Sequence, residues 1–373
     1  MGKSLSEIVR QLMDNRKKVQ LIYAFNGVGK TRLSREFKEL VAPKRESGEE
    51  EVEDSGLASK KILYYNAFTE DLFYWDNDLQ NDVDIRLKIH PNAFTNWVFQ
   101  EQGQEPKIIG NFQNYTNRTL MPRFNADFSE VMFSVQRGDD ESIENIKISK
   151  GEESIFVWSV FYSLMEQVIA VLNHPEPSER ETDKFNQLEY FFIDDPVTSL
   201  DDNHLIQMAI DFAKIIKKSN SGLKFIITTH NVSFYNVLYN ELNIKENGYM
   251  LINYEDGSYE LDKKFGDSNK SFSYHHHLIS IIRQAVEDDK IEKYHFMLLR
   301  NLYEKAANFL GYKNWSDLLP DEKEAYASRI MNFYSHQTII NEEIREPSQP
   351  EKQMVKLLFN HLLDNAKFWK ETE

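Results

Sequence analysis

The stretch AFNGVGKT, residues 24–31, follows the apolar run VQLIY and opens a helical pattern, TRLSREF. A glycine-containing turn between strand and helix lets successive backbone N–H groups curl around phosphate oxygens, and the helix dipole adds to the attraction. In that reading the backbone of Asn26, Gly27, Val28 and Gly29 forms the cradle. Lys30 reaches the terminal phosphates, Thr31 offers its hydroxyl to Mg2+, and Arg32 is available as a further phosphate contact. Ala24 stands where such loops usually carry a first glycine, and Asn26 tolerates a left-handed backbone better than most residues.

A second cluster has the complementary chemistry. LEYFFIDDPVTSLDDNHL (188–205) is an apolar run ending in paired acids. Carboxylates at the C-terminal end of a central parallel strand project into the ligand crevice of an α/β sheet. Asp194 is placed to hold Mg2+ through water, and Asp195 to orient or activate an attacking water. LKFIITTHN ends another apolar run at His230, where the ring could sense a terminal phosphate in the same crevice. Upstream, ISKGEESIF places Ser149, Gly151 and Glu152 before a long apolar helical segment. Those residues suit a helix N-cap with acids in its first turn, a reading that can hold together with a functional one.

A third cluster lies far downstream. Arg300 and Glu304 are four apart in LLRNLYEKAANFLG, and His336 ends RIMNFYSH, with Arg329 and Asn332 earlier in that segment. Metal-free RNA cleavage needs a base for the ribose 2′-OH, an acid for the leaving oxygen and a cation on the crowded phosphate. Histidine suits the proton transfers, and the planar guanidinium suits the phosphate. By spacing alone, Arg300 and Glu304 are equally an ordinary ion pair on a helix surface.

These residues need distinct supports. The first two clusters call for alternating strands and helices. Within that region, 57–147 mixes short aromatic-rich β-like runs with turns, as an antiparallel lobe would. KRESGEEEVEDSG (44–56) reads as an exposed acidic loop, and GYMLINYEDGSYELDKKFGDSNK as a hairpin. From about Tyr274 onward apolar residues recur at three- and four-residue spacing, which predicts an all-α domain.

The net charge of −16 argues against broad electrostatic capture of nucleic acid. From Lys263 to the end, 16 Lys and Arg face 17 Asp and Glu, so the acidity belongs to the first two-thirds and a local RNA site downstream remains open. There is no cysteine, which excludes disulfides and thiolate chemistry. The start, MGKSLSEIVRQL, lacks a signal-peptide core, and no unbroken apolar run approaches about 18 residues. The expectation is a soluble, cytoplasmic protein with no membrane partner.

In order and type, the loop at 24–31, SKGE at 149–152, Asp194–Asp195, SLDD at 199–202 and His230 resemble an ABC-type ATPase head. It departs from that pattern at Ala24, at Lys150 and at Asp195, where many such heads carry Glu, and no glutamine loop is assigned. The resemblance implies ATP or GTP with Mg2+, the metal held by Thr31 and Asp194. It also implies a head-to-tail homodimer or higher homo-oligomer, with Ser149 and Gly151 of one copy facing the other's nucleotide. The chain as a whole resembles the PrrC family of anticodon nucleases, on the strength of these motifs together with Arg300, Glu304 and His336. In that family an α/β ABC-type P-loop NTPase head precedes an all-α HEPN-like domain, which places the head at 1–262 and the nuclease domain at 263–373.

The resemblance implies cleavage of tRNA-Lys 5′ of the wobble base, giving a 2′,3′-cyclic phosphate and a 5′-OH with no metal in the ribonuclease step. Asp267 and Ser268, in the segment 263–278, would recognise the anticodon. Arg329 with His336 also fits the looser Arg–His pattern of HEPN ribonucleases. Further implied are dTTP as a candidate regulator, a type I restriction–modification complex as silencing partner, and a phage-encoded trigger in antiviral defence. Two alternatives stay open: an ABC ATPase of DNA repair or defence with a helical protein-docking domain and no nuclease activity, and a HEPN ribonuclease acting on other RNA.

Overall fold

The computed structural model describes residues 2–43, 61–66, 73–76, 85–90, 99, 103–116, 118–137, 141–197, 200–254, 256–264, 274–320 and 347–365. The acidic stretch 44–56 and the expected site residues Ser199, Asp267, Ser268, Arg329, Asn332 and His336 lie outside them. The chain divides into two compact units, Met1–Ser271 and Phe272–Glu373.

The first unit is built on a six-stranded sheet. Its members are β1 (Val19–Tyr23), β2 (Ile62–Asn66), β8 (Tyr190–Asp194), β9 (Lys224–Thr229), β10 (Gly248–Asn253) and β11 (Tyr259–Lys264), in the order β11-β10-β1-β9-β8-β2. All neighbours pair in parallel except β10 and β11, which form the expected antiparallel hairpin. The central strands are near-continuous apolar runs because both of their faces are covered. The two-residue period then sorts their side chains. Ile22, Phe192 and Ile226 pack with α1 (Leu5–Asp14) and α2 (Lys30–Val41), through Ile8, Leu12, Leu33 and Phe37. On the alternate positions, Phe191 meets Phe225 and Phe161, and Tyr23 meets Tyr235.

A second, antiparallel sheet joins β3 (Phe73–Asp76), β4 (Arg86–Ile89), β6 (Glu130–Arg137) and β5 (Leu120–Phe124), with β7 (Glu141–Ile143) on β6. It bears out the antiparallel lobe with one correction: residues 62–66 belong to the main sheet, where Asn66 stands beside Asp194. The helix α3 (Glu105–Tyr115) packs beside this lobe against α4 (Lys150–Leu172). Phe156 of α4 touches Phe73, Phe112, Phe124 and Phe133, so the lobe sits over the first turns of α4. Length and composition would let α4 cross a bilayer, against the expectation that no segment could. Its most apolar stretch is 83% buried within this chain, the position of a core helix that packs on several sides. Helices α5 (Asp202–Lys218) and α6 (Val232–Glu241) complete the unit.

The second unit is helical in its described residues: α7 (Tyr274–Glu287), α8 (Lys293–Leu310), a 3-10 turn at Trp315–Leu318 and α9 (Gln349–Asn365). Leu278 and Ile282 of α7, Leu299, Leu302 and Tyr303 of α8, and Val355, Leu358 and Phe359 of α9 form one buried core. These are the three- and four-residue repeats of the sequence brought face to face. Gly311 ends α8 in the left-handed conformation, at φ 78°.

Candidate functional site

In the first unit, β1 delivers the chain into a loop that turns directly into α2. Gly27 and Gly29 adopt φ of 84° and 116°, backbone conformations that residues with a Cβ rarely hold. A Cβ at Gly29 would also come within 3.4 Å of the Tyr259 hydroxyl on β11. Gly29 is the N-cap of α2 and no side chain caps that helix, so its first-turn N–H groups and dipole are presented by the loop itself. Ala24 is outside the left-handed region and donates its N–H to the Thr229 carbonyl at 3.0 Å, prolonging β1. A glycine is therefore unnecessary at this position. Asn26 is not left-handed either; its Oδ1 accepts from Lys30 Nζ at 3.1 Å, which corrects the backbone role expected of it.

Lys30 is buried and gathers four oxygens. It donates to the carbonyls of Ala24 and Phe25 and to Asn26, and its Nζ lies 3.5 Å from Asp195 Oδ2. The same carboxylate oxygen is 2.5 Å from His230 Nδ1, while Asp195 Oδ1 accepts from the His230 backbone N–H at 3.2 Å and from Thr229 Oγ1 at 3.3 Å. Asp195 holds φ 52°, and its N–H is bonded to the Thr228 carbonyl. Aspartate is among the few residues that tolerate this region. Three residues proposed from separate motifs thus meet in one charge cluster.

Asp194, one residue earlier, is 1% exposed. It accepts hydrogen bonds from Thr228 Oγ1 at 2.6 Å and Tyr64 OH at 3.1 Å, with Ser34 Oγ at 3.5 Å. Burial raises its carboxyl above the usual aspartate range, and the bonds from Thr228 and Tyr64 oppose that shift. Ser34 also bonds to the Thr31 carbonyl, which ties the helix carrying Thr31 to the acid at the end of β8. Thr31 is half-buried, Arg32 is exposed, and Val28 bonds back to the Phe25 carbonyl. Tyr64, Ser34 and Thr228 were not foreseen. Tyr64 sits in an ordinary apolar strand, and only the register of β2 against β8 brings it to Asp194.

Ser149 caps α4 and forms a reciprocal box with Glu152: the Glu152 N–H donates to Ser149 Oγ, and the Ser149 N–H to Glu152 Oε2. Gly151 lies in that first turn. The capping reading holds, and it commits the Glu152 carboxylate to the backbone. Glu153, buried behind it, accepts from Trp75 Nε1 of the antiparallel lobe and pairs with Lys150. Asp201 caps α5 by accepting from the backbone N–H groups of Asn203 and His204, without a reciprocal box.

In the second unit, Arg300 Nε donates to Glu304 Oε1 at 2.8 Å on α8. The Arg300 side chain is 17% exposed and that of Glu304 41%. The guanidinium lies 5.4 Å from the centre of the Trp315 ring, a cation–π contact. Trp315 was not singled out in the sequence, because its place in a loop turn showed no spacing relation to α8.

Known proteins were compared with the chain. No protein-family model matches it. Its fold is weakly similar to an SMC head bound to the C-winged helix domain of ScpA, at TM-score 0.27 and 12% identity, covering 43% of this chain and 42% of that one. An SMC head domain from Thermotoga maritima gives TM-score 0.28 and 13% identity over 66% of this chain and 90% of the other. By sequence it is 57% identical over 394 residues to a protein of Escherichia coli named "Anticodon nuclease", covering 100% of this chain and 99% of that protein. With that identity along its whole length, the chain belongs to the anticodon nuclease family.

Proposed function

We propose that this chain is a nucleotide-regulated endoribonuclease that cuts tRNA-Lys in the anticodon loop, 5′ of the wobble base. The observation that carries the reading is the end-to-end identity to the Escherichia coli anticodon nuclease, which spans both structural units. In this reading the first unit is an ABC-type head that binds ATP or GTP, with dTTP as a candidate regulator, and the second is a HEPN-like nuclease domain.

The loop at 26–29, the capless N-terminus of α2 and Lys30 take the phosphates. Thr31 and Asp194 would hold Mg2+. An ion held by those two residues would take its remaining ligands from phosphate and water. The bound ion would neutralise charge developing on the phosphate oxygens. Asp195 orients the attacking water, and His230, bonded to Asp195, reads the terminal phosphate. Arg32 is exposed at the loop for a further phosphate contact. Ser149 and Gly151, with Glu152 holding their helix cap, face the nucleotide of a second copy in a head-to-tail homodimer or a higher oligomer.

In the second unit Arg300 stabilises the phosphate undergoing attack, Glu304 orients Arg300, and His336 transfers a proton, with Arg329 and Asn332 as further candidate catalytic groups. The ribose 2′-OH is an internal nucleophile, so the step needs no metal-bound water, and it leaves a 2′,3′-cyclic phosphate and a 5′-OH. Asp267 and Ser268 read the anticodon. A type I restriction–modification complex keeps the enzyme silent in the cytoplasm, and a phage-encoded signal releases it as an antiviral toxin.

The test incubates purified protein with total tRNA and nucleotide, with and without EDTA, and maps the new ends. A cyclic end at the tRNA-Lys anticodon that disappears in His336→Ala supports the reading. NTP hydrolysis with intact RNA would overturn it in favour of an ATPase with a helical docking domain. Cuts at other positions would reassign the substrate.

A further inference from the structure

The strand β9 turns polar at its end. Phe225, Ile226 and Ile227 are buried and apolar, and Thr228 and Thr229 follow them, equally buried. Valine would suit the shape of such a strand position as well as threonine does, and a buried hydroxyl costs free energy unless it is bonded. The Thr228 hydroxyl is bonded: it donates to Asp194 Oδ1 at 2.6 Å, the short length of a hydroxyl on a carboxylate. The parallel register makes Thr228 and Asp194 direct partners across β9 and β8, so their side chains leave the sheet on the same side.

The main chain of Thr228 serves the next acid. Its carbonyl accepts the Asp195 N–H at 2.9 Å, at the point where Asp195 takes φ 52°. Thr229 continues the pattern: its hydroxyl donates to Asp195 Oδ1 at 3.3 Å, and its carbonyl accepts the Ala24 N–H at 3.0 Å, where the loop before α2 begins. Two consecutive threonines thus hold both acids that follow β8 and the start of that loop. The other oxygen of Asp194, Oδ2, lies toward α2, with Tyr64 OH at 3.1 Å and Ser34 Oγ at 3.5 Å. Ser34 stands one turn beyond Thr31 on α2 and donates to the Thr31 carbonyl at 2.9 Å. A hydroxyl at Thr31 and a carboxylate at Asp194 are both hard oxygen donors, the chemistry that Mg2+ takes.

We infer that Thr228 is a positioning residue of the nucleotide site, whose hydroxyl fixes Asp194 Oδ1 and so leaves Oδ2 on the side of α2 that carries Thr31. This rests on the nucleotide and Mg2+ reading above. The terminal torsion of an aspartate is broad, and one short bond to Oδ1 narrows it before any ion arrives. Of the three hydroxyls around this carboxylate, that of Thr228 is the closest. A group of this kind acts by orienting the ligand, without touching the ion, and losing it costs roughly 10–100-fold in metal affinity.

Thr228→Val removes the hydroxyl and keeps the branched shape. The experiment measures equilibrium binding of a fluorescent ATP analogue by the full chain over a Mg2+ titration that starts from EDTA. The expected result is a half-saturating Mg2+ concentration raised ~10-fold in Thr228→Val. Thr228→Ser keeps a hydroxyl and should return most of the way to wild type. Thr228→Ala carries the same expectation as Thr228→Val, which decides the matter should the valine variant fail to fold. A folded Thr228→Val or Thr228→Ala with the wild-type Mg2+ requirement would overturn the inference, as would a Thr228→Ser as impaired as Thr228→Val. A lower melting temperature with no change in Mg2+ requirement would make Thr228 a packing residue and overturn it too. Wild-type nucleotide binding and hydrolysis that ignore EDTA would overturn the Mg2+ reading itself, a different result from any of these.

Discussion

Asp195 joins His230 to Lys30: one carboxylate oxygen lies 2.5 Å from the imidazole Nδ1 and 3.5 Å from the lysine Nζ. A terminal phosphate bound in the proposed site would compete with Asp195 for both side chains. Asp195→Asn removes the charge but leaves Lys30 its contacts to Ala24, Phe25 and Asn26. Nucleotide binding is therefore expected to persist, with hydrolysis reduced by ~10²-fold or more. Equilibrium binding of a fluorescent nucleotide, alongside phosphate release, checks the pair of outcomes. Loss of binding together with hydrolysis would contradict it.

Asp194 should trade stability for chemistry. Its folded-state carboxyl is raised by burial, so the native state holds its proton more tightly than the unfolded chain. That contribution favours the fold at low pH and is lost as pH rises through the unfolded and then the folded value. At neutral pH Asp194→Asn is expected to raise the melting temperature of the nucleotide-free protein by a few degrees and to abolish Mg2+-dependent hydrolysis. Thermal melts at pH 5 and pH 8 should show a gain at pH 8 at least as large as at pH 5.

Gly29 combines a left-handed backbone with a close neighbour. Gly29→Ala is strained at φ 116° and brings its Cβ within 3.4 Å of the Tyr259 hydroxyl. The outcome expected is loss of the nucleotide-induced thermal shift, with affinity weakened at least ~10-fold, since strain of about 1–3 kcal/mol falls on the phosphate cradle. Gly27→Ala, at φ 84° and with nothing within 4 Å of the new Cβ, is expected to be milder.

The Arg300–Glu304 bond is an i, i+4 pair whose carboxylate side chain is 41% exposed. Such pairs contribute about 0.3–0.5 kcal/mol, so Glu304→Gln should leave the melting temperature nearly unchanged. If Glu304 orients the guanidinium, the same variant lowers RNA cleavage by ~10-fold or more. Arg300→Lys keeps the charge but loses the planar fork over Trp315 and is expected to fall further. Calorimetry and cleavage kinetics on the same preparations separate a surface ion pair from a catalytic one.

The candidate cluster in the first unit was legible because its residues sit at turns that only certain side chains permit. Gly27, Gly29 and Lys30, and the acids ending an apolar strand, reveal themselves through local order along the chain. What was not legible depends on partners far apart in sequence. Asn26 serves Lys30 through its side chain and not through its backbone, and Tyr64 reaches Asp194 across 130 residues because β2 leaves its neighbours to pair with β8. The apolar length of α4 does not show the neighbours that bury 83% of its most apolar stretch within the chain. In the helical unit, periodicity found the helices, while the Trp315 contact arises from packing between elements.

The strand β11 sets where the two units can be cut apart. Its last two residues, Lys263 and Lys264, pair with Tyr249 and Gly248 of β10. A fragment ending at residue 262 would strip Gly248 and Tyr249 of those partners and leave the start of β10 unpaired, a short open edge on the sheet. A head meant to stand alone must keep both lysines, whose charges at the margin also discourage pairing with other chains. A cut beyond Lys264 keeps the β10–β11 pairing whole.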